Sequence, residues 1–166
     1  IEREAHRLER LIRDLLDLAR LRRRSFDVTL VPIDLAEVAG EALARHGHQA
    51  QAYGVNLEFR VEPPAGAVAD AGRTLQALSN LVENAIKYGK PSPVVQPLDP
   101  AAAARTREIL IEARREGDTV LLSVTDHGPG IPESDRKHAV ERFVRLEASR
   151  TLPGSGLGLS LASAVA

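Results

Sequence analysis

Cysteine, tryptophan and methionine are absent from this chain of 166 residues, and aromatic side chains make up only 3% of it. Without cysteine there can be no disulfide, thiolate metal site or thiol nucleophile, an absence compatible with a reducing compartment without proving one. So few aromatics leave no platform on which successive nucleobases could stack. Charge of one sign is lacking too: 22 basic residues face 23 acidic ones, for a net charge of -1. No global field is available to hold a nucleic-acid backbone. No uncharged apolar run approaches the ~18 residues that a membrane span needs. What is present is 43% apolar and 27% charged residues in 17.9 kDa, the composition of one globular domain. A chain of this length can bury roughly 70% of its unfolded surface.

Ile1, Ala5, Leu8, Ile12, Leu15 and Ala19 are spaced alternately four and three apart, a heptad seam that Leu11, Leu16 and Leu18 widen. This pattern predicts an amphipathic helix over residues 1–22 whose stripe needs a partner helix, from an upstream segment or a second chain. The chain opens inside this pattern and closes at Ala166 inside an apolar helical run, so it is read as a piece of a longer protein. Phe26, Val28 and Leu30 alternate as a short strand. Asp34 and Glu37 have capping-box spacing before a helix buried through Leu35, Val38, Ala39, Ala42 and Leu43 and ended by Gly54. His46 and His48 are two apart, a spacing that does not share a helix face, which argues against a metal site there. Val55, Leu57, Phe59 and Val61 predict a strand, Val68 a short one, and Asp70 the cap of a helix over 71–88. The Pro- and Ala-rich stretch 91–105 reads as an extended loop, and 109–113 with 120–125 as a hairpin through Glu116, Gly117 and Asp118.

The chemistry concentrates in three places. At ~100° per residue the helix 71–88 gathers Leu75, Leu78, Val82, Ala85 and Ile86 on one side and Asn80, Glu83, Asn84 and Lys87 on the other. Two asparagines a turn apart weaken a helix and give nothing to an exposed surface, so they are better explained as ligands. Their amide oxygens suit Mg²⁺ that already carries phosphate oxygens, and Lys87 could meet the phosphate charge. The alternative is a polar face of no special purpose. Second, the strand ending at Thr125 runs into Asp126-His127-Gly128-Pro129-Gly130-Ile131. A carboxylate there, if a purine lies beside it, accepts from the exocyclic amine of adenine and not from the carbonyl of guanine. Third, Gly154-Ser155-Gly156-Leu157-Gly158 opens an apolar helix, where free backbone N–H groups favour phosphate. A Walker loop is excluded because the only Gly-Lys is followed by Pro91, and a dinucleotide fingerprint because position 159 is Leu.

The series Asn80 to Tyr88, Asp126-x-Gly-x-Gly130, Phe143 with Arg145, and Gly154-x-Gly-Leu-Gly158 resembles, in order, the N, G1, F and G2 boxes of sensor histidine kinases. The resemblance implies an α/β two-layer sandwich, a mixed sheet with helices packed on one face (the Bergerat-type ATP-binding fold), preceded by a long amphipathic helix. Residues 1–24 would be part of the second helix of the dimerisation and phosphoacceptor hairpin, and 25–166 the ATP-binding catalytic domain without its C-terminal strands. It implies ATP and Mg²⁺ as ligands, the metal held by Asn84 with help from Asn80, while Lys87 and Tyr88 line the phosphates and base. Asp126 would read adenine. Gly128, Gly130 and Ile131 would lead into a mobile lid, roughly 131–153, carrying Phe143 and Arg145, and Gly154, Ser155, Gly156, Leu157 and Gly158 would meet the phosphates.

Related ATPases of the gyrase, mismatch-repair and chaperone type carry a water-activating Glu where this chain has Asn80. An amide cannot take that proton, so hydrolysis should be slow and the γ-phosphoryl kept for an imidazole. Glu83 is either a weak base that orients the incoming histidine or a plain helix-surface carboxylate. None of the five histidines lies in a phosphoacceptor context, so the chain is not expected to phosphorylate itself. The resemblance further implies a homodimer through the hairpin helices, a response regulator as partner, and a cytoplasmic domain of a membrane-bound sensor. Competing expectations are a nucleotide-sensing dimerisation module without turnover, and an ATPase or anti-sigma-type serine kinase.

Overall fold

The computed structural model describes Ile12, residues 28–89 and 107–141, Val144 and residues 158–165. Its elements run β1 (Val31–Asp34), α1 (Leu35–Tyr53), β2 (Asn56–Val61), β3 (Gly66–Ala69), α2 (Ala71–Tyr88), β4 (Glu108–Glu116), β5 (Thr119–Thr125), α3 (Glu133–Ala139) and α4 (Gly158–Val165). The helix expected over 1–22 and the loop over 91–105 lie outside the described residues, save that Ile12 is helical and largely exposed.

β4 is the central strand of a three-stranded sheet in the order β2-β4-β5, parallel to β2 and antiparallel to β5. The sheet is therefore mixed, as the resemblance implies. Register decides which side is buried. Leu57, Phe59, Ile109, Ile111, Leu122 and Val124 point to one face and join the core with Val38, Ala39, Ala42, Leu75, Leu78, Val82, Ala85 and Ile86 of α1 and α2. The alternate residues Glu58, Arg60, Glu112 and Arg114 lie on the opposite face, so the two helices cover the sheet from one side only. Ala39, Ala42 and Val82 are fully buried, which places the small residues of α1 where α2 comes near.

Both long helices start where a carboxylate caps them. Asp34 accepts from the N–H of Ala36 at 2.8 Å, and Asp70 accepts from that of Arg73 at 3.0 Å while its other oxygen accepts from Thr29 at 3.1 Å. Gly54 ends α1 at φ 68°, the left-handed conformation that glycine adopts without steric cost. Gly117 does the same in the β4–β5 turn at φ 63°.

One strand differs from expectation. Val28 and Leu30 stand outside β1 and are exposed, while the strand forms at Val31–Asp34. A strand needs a partner, and β3 offers only four residues, paired from Val31↔Ala69 to Asp34↔Gly66. Pro32 is tolerated because the two-stranded sheet has open edges, where a missing N–H costs no ladder bond.

Candidate functional site at the polar face of the second helix

The two faces of α2 separate as the wheel predicts. Leu75, Leu78, Val82, Ala85 and Ile86 are buried on one, and Asn80, Glu83, Asn84 and Lys87 are half-buried on the other. The half-burial has a visible cause for the asparagines. α4 begins beside them: a Cβ built on Gly158 would lie 3.5 Å from Asn84 Nδ2, 3.8 Å from Asn84 Oδ1 and 3.9 Å from Asn80 Cβ. The N-terminal end of α4, where a helix's first backbone N–H groups have no partner within the helix and its dipole is positive, thus abuts two carboxamides one turn apart. The first helix residue after the glycine-rich stretch and the asparagine face, far apart in sequence, lie against each other.

Lys87 donates to Glu83 Oε1 at 2.5 Å, with side-chain exposures of 10% and 35%. One of the three ammonium protons is committed to this carboxylate, which leaves two for an incoming anion. The pairing was not anticipated from the sequence, although Glu four residues before Lys is the favourable helical spacing and was the available signal.

At the C-terminal end of α2 the turn after β5 closes in. Asp126 Oδ1 accepts from the backbone N–H of Gly128 at 2.8 Å, so the carboxylate folds back over its own turn. Tyr88, the last residue of α2, is half-buried, and its carbonyl oxygen would lie 2.5 Å from a Cβ on Gly128. Gly130 has φ 71°, open to glycine, and Ile131 beyond it is half-buried and accepts through its carbonyl from Arg136 Nε at 3.1 Å. The described part of the expected lid thus begins with a short helix, α3, which buries only Ala139. Phe143, Arg145, Gly154, Ser155, Gly156 and Leu157 lie outside the described residues.

Does the donor set suit magnesium? Among the described residues no three His, Asp or Glu side chains gather in a way that could hold a metal ion. The two carboxamides offer hard, neutral oxygens and too few of them for a free-standing cage, which fits a cation that arrives with phosphate and keeps several waters. Asn80 Nδ2 is buried without a hydrogen-bond partner, beside Gly158. A buried donor in that condition costs free energy until an acceptor reaches it. That N–H suits a phosphate oxygen and not the cation, whereas the amide oxygens of Asn84 and Asn80 are of the type that fits magnesium.

A mixed sheet backed on one side by two helices, the second of which turns a carboxamide pair and a lysine away from the core, is the α/β sandwich class that the resemblance implies. The chain belongs to the histidine kinase-, DNA gyrase B- and HSP90-like ATPase family, whose model matches residues 69–166. Within it, the relatives are sensor histidine kinases. The chain is 32% identical to the sensor-like histidine kinase SenX3 of Mycobacterium tuberculosis strain H37Rv over 98% of its own length and 37% of the relative's. It is 34% identical to the kinase/phosphatase MprB of Mycobacterium sp. strain KMS over 95% of its own length and 27% of the relative's. It spans less than two fifths of the curated relatives it matches. Among solved structures, full-length ShkA in complex with AMPPNP superposes with a TM-score of 0.77 at 27% identity, covering 98% of this chain and 31% of that one. The mycobacterial sensor kinase MprB gives a TM-score of 0.63 at 28% identity, covering 82% and 78%. Among the described residues no helix is long and apolar enough to cross a membrane.

Proposed function

We propose that this chain binds Mg-ATP on the polar face of α2 and transfers the γ-phosphoryl to a histidine on a dimerisation hairpin, as the catalytic part of a two-component sensor kinase. The observation that carries the reading is Gly158 lying against Asn84 and Asn80, because it brings backbone N–H groups and amide oxygens to one place where phosphate and its cation would both be met. ShkA, similar along nearly the whole chain, was solved with an ATP analogue, which supports the same ligand here.

In this reading Asn84 and Asn80 turn their amide oxygens to the cation, which when bound neutralises charge developing on the phosphoryl oxygens. Lys87 uses its two remaining protons on the phosphates, and Gly158 with Gly154, Ser155, Gly156 and Leu157 supplies backbone donors. Asp126 accepts from the exocyclic amine of adenine, with Tyr88, Gly128, Gly130 and Ile131 shaping the base side and Phe143 and Arg145 closing over it. Glu83 holds Lys87 and stands beside Asn84, where its carboxylate could orient the imidazole. No carboxylate occupies position 80, so water is poorly activated and the phosphoryl is kept for histidine. Residues 1–24 would belong to the dimerisation hairpin and 25–166 to the catalytic domain, a cytoplasmic part of a homodimeric, membrane-bound parent that has a response regulator as partner.

The test is incubation with γ-labelled ATP, magnesium and a separately prepared phosphoacceptor hairpin. Acid-labile label on the hairpin histidine is expected. Binding without transfer would favour a nucleotide-sensing module, and acid-stable phosphoserine a serine kinase.

A further inference from the structure

The end of α2 and the turn after β5 meet backbone against backbone. Gly89 closes α2 by donating its N–H to Ala85 O at 2.7 Å, in a conformation (φ -75°, ψ 8°) that any residue could adopt. Space, not conformation, demands glycine here. A Cβ at position 89 would lie 2.3 Å from Ala85 O, 2.7 Å from Asp126 Cβ and 3.1 Å from Asp126 Cγ. From the other side, a Cβ at position 128 would lie 2.5 Å from Tyr88 O, 3.0 Å from Asp126 Oδ1 and 3.0 Å from Gly89 Cα. Ala85 O, Tyr88 O and Gly89 Cα are backbone and Asp126 Cβ is the root of its side chain, so none of these can swing aside and a methyl group at position 89 must move the turn. Asp126 is consequently fixed twice: its Cβ and Cγ rest on Gly89, and its Oδ1 accepts from Gly128 N at 2.8 Å.

We infer that Gly89 is a positioning residue for base selection: the absence of a side chain lets Asp126 seat against the end of α2 and so fixes the distance between the base-reading carboxylate and the Asn80–Lys87 face that takes the phosphates. This rests on the proposed reading of Asp126. The sequence shows Gly89 only as a helix stop, since the seam depends on β5 arriving alongside α2.

Titration of ATP, GTP and inorganic triphosphate, each with magnesium, into the wild-type chain, Gly89→Ala and Asp126→Asn separates the possibilities. The wild type should prefer ATP to GTP, and both variants should cut that preference by about tenfold, the worth of one charge-assisted hydrogen bond. Triphosphate affinity should stay within about twofold in Gly89→Ala, a pattern that general loosening would not give. If Asp126→Asn keeps the preference, the reading of Asp126 is wrong. If Asp126→Asn loses it and Gly89→Ala keeps it, or if Gly89→Ala weakens all three ligands alike, the role of Gly89 is overturned. Should Gly89→Ala fail to fold, amide spectra of the wild type decide: adenosine should shift the Gly89 and Gly128 N–H signals together, and movement of Gly128 alone would refute the inference.

Discussion

Lys87 and Glu83 form an ion pair one turn apart on the polar face of α2, with the lysine side chain nine-tenths buried and the glutamate side chain about one third exposed. A charge so enclosed needs an anion near it. Glu83→Gln removes that anion and should destabilise the chain by about 1–2 kcal/mol, below the cost at a fully buried pair because Glu83 keeps contact with water. If triphosphate reaches the same ammonium, it replaces the missing partner, so saturating ATP should raise the melting temperature more in Glu83→Gln than in the wild type. Calorimetry with and without nucleotide checks this, and equal increments would place the phosphates away from Lys87.

Asn84 is expected to act through its oxygen. Asn84→Ala should remove the magnesium dependence of ATP affinity, and Asn84→Asp should retain it, because a carboxylate is also a hard oxygen donor. Chelation of magnesium should bring the wild type down to the level of Asn84→Ala and leave that variant unchanged. Isothermal titration with and without chelator reads all of these. An Asn84→Ala variant that stays magnesium-dependent would reassign the metal.

The core can be probed independently of nucleotide. Leu78, only 1% exposed, is among the largest fully buried side chains and lies on the apolar face of the helix whose other face carries the site. Leu78→Ala should cost about 2–5 kcal/mol, the range for deleting a buried leucine side chain without collapse of the cavity. Since α2 carries Asn80, Glu83, Asn84 and Lys87, the same substitution should weaken ATP binding once temperature approaches the lowered midpoint, and not well below it. Urea denaturation gives the first quantity and titration at two temperatures the second.

The wheel of α2, its cap at Asp70 and the strands around Gly117 were legible because each is written in local residue order: period, capping carboxylate, turn glycine. Asn80 and Asn84 stood out because two asparagines a turn apart make little sense on an ordinary surface, whereas Asp126 by itself reads as a turn residue and gained meaning only beside the other motifs. β1 was placed a few residues early because alternation marks what can pair, whereas the length of β3 decides what does. The Gly89–Asp126 seam and the place of Gly158 over Asn84 were illegible for a related reason. They are distances between elements remote in sequence, fixed only when β5 and α4 pack beside α2.

The outer face of the sheet holds a carboxyl pair that should be visible in the pH dependence of stability. Glu58, on β2, pairs with Leu110 and so has Glu108, two residues along β4, as a neighbour on the same face, and it accepts from Arg60 Nε at 2.9 Å. A hydrogen bond with Glu108, then the one to Arg60, lowers the Glu58 pKa below its ordinary 4.5, and the same bond to Glu58 raises that of Glu108 above it. Of the two, Glu108 is the one that keeps its proton to higher pH. A raised folded value means that the contribution of Glu108 is complete below 4.5 and is lost as pH rises through the folded value, leaving two like charges side by side at neutrality. The contribution of Glu58 runs the other way, present above 4.5 and lost as pH falls through its lowered value. Glu108→Gln replaces the titrating donor with a permanent amide donor, so the variant should melt above the wild type at pH 7, with the gap narrowing as pH approaches 4.5. Thermal melts across that range check it. A gap that does not change with pH would mean that Glu58 and Glu108 do not share a proton.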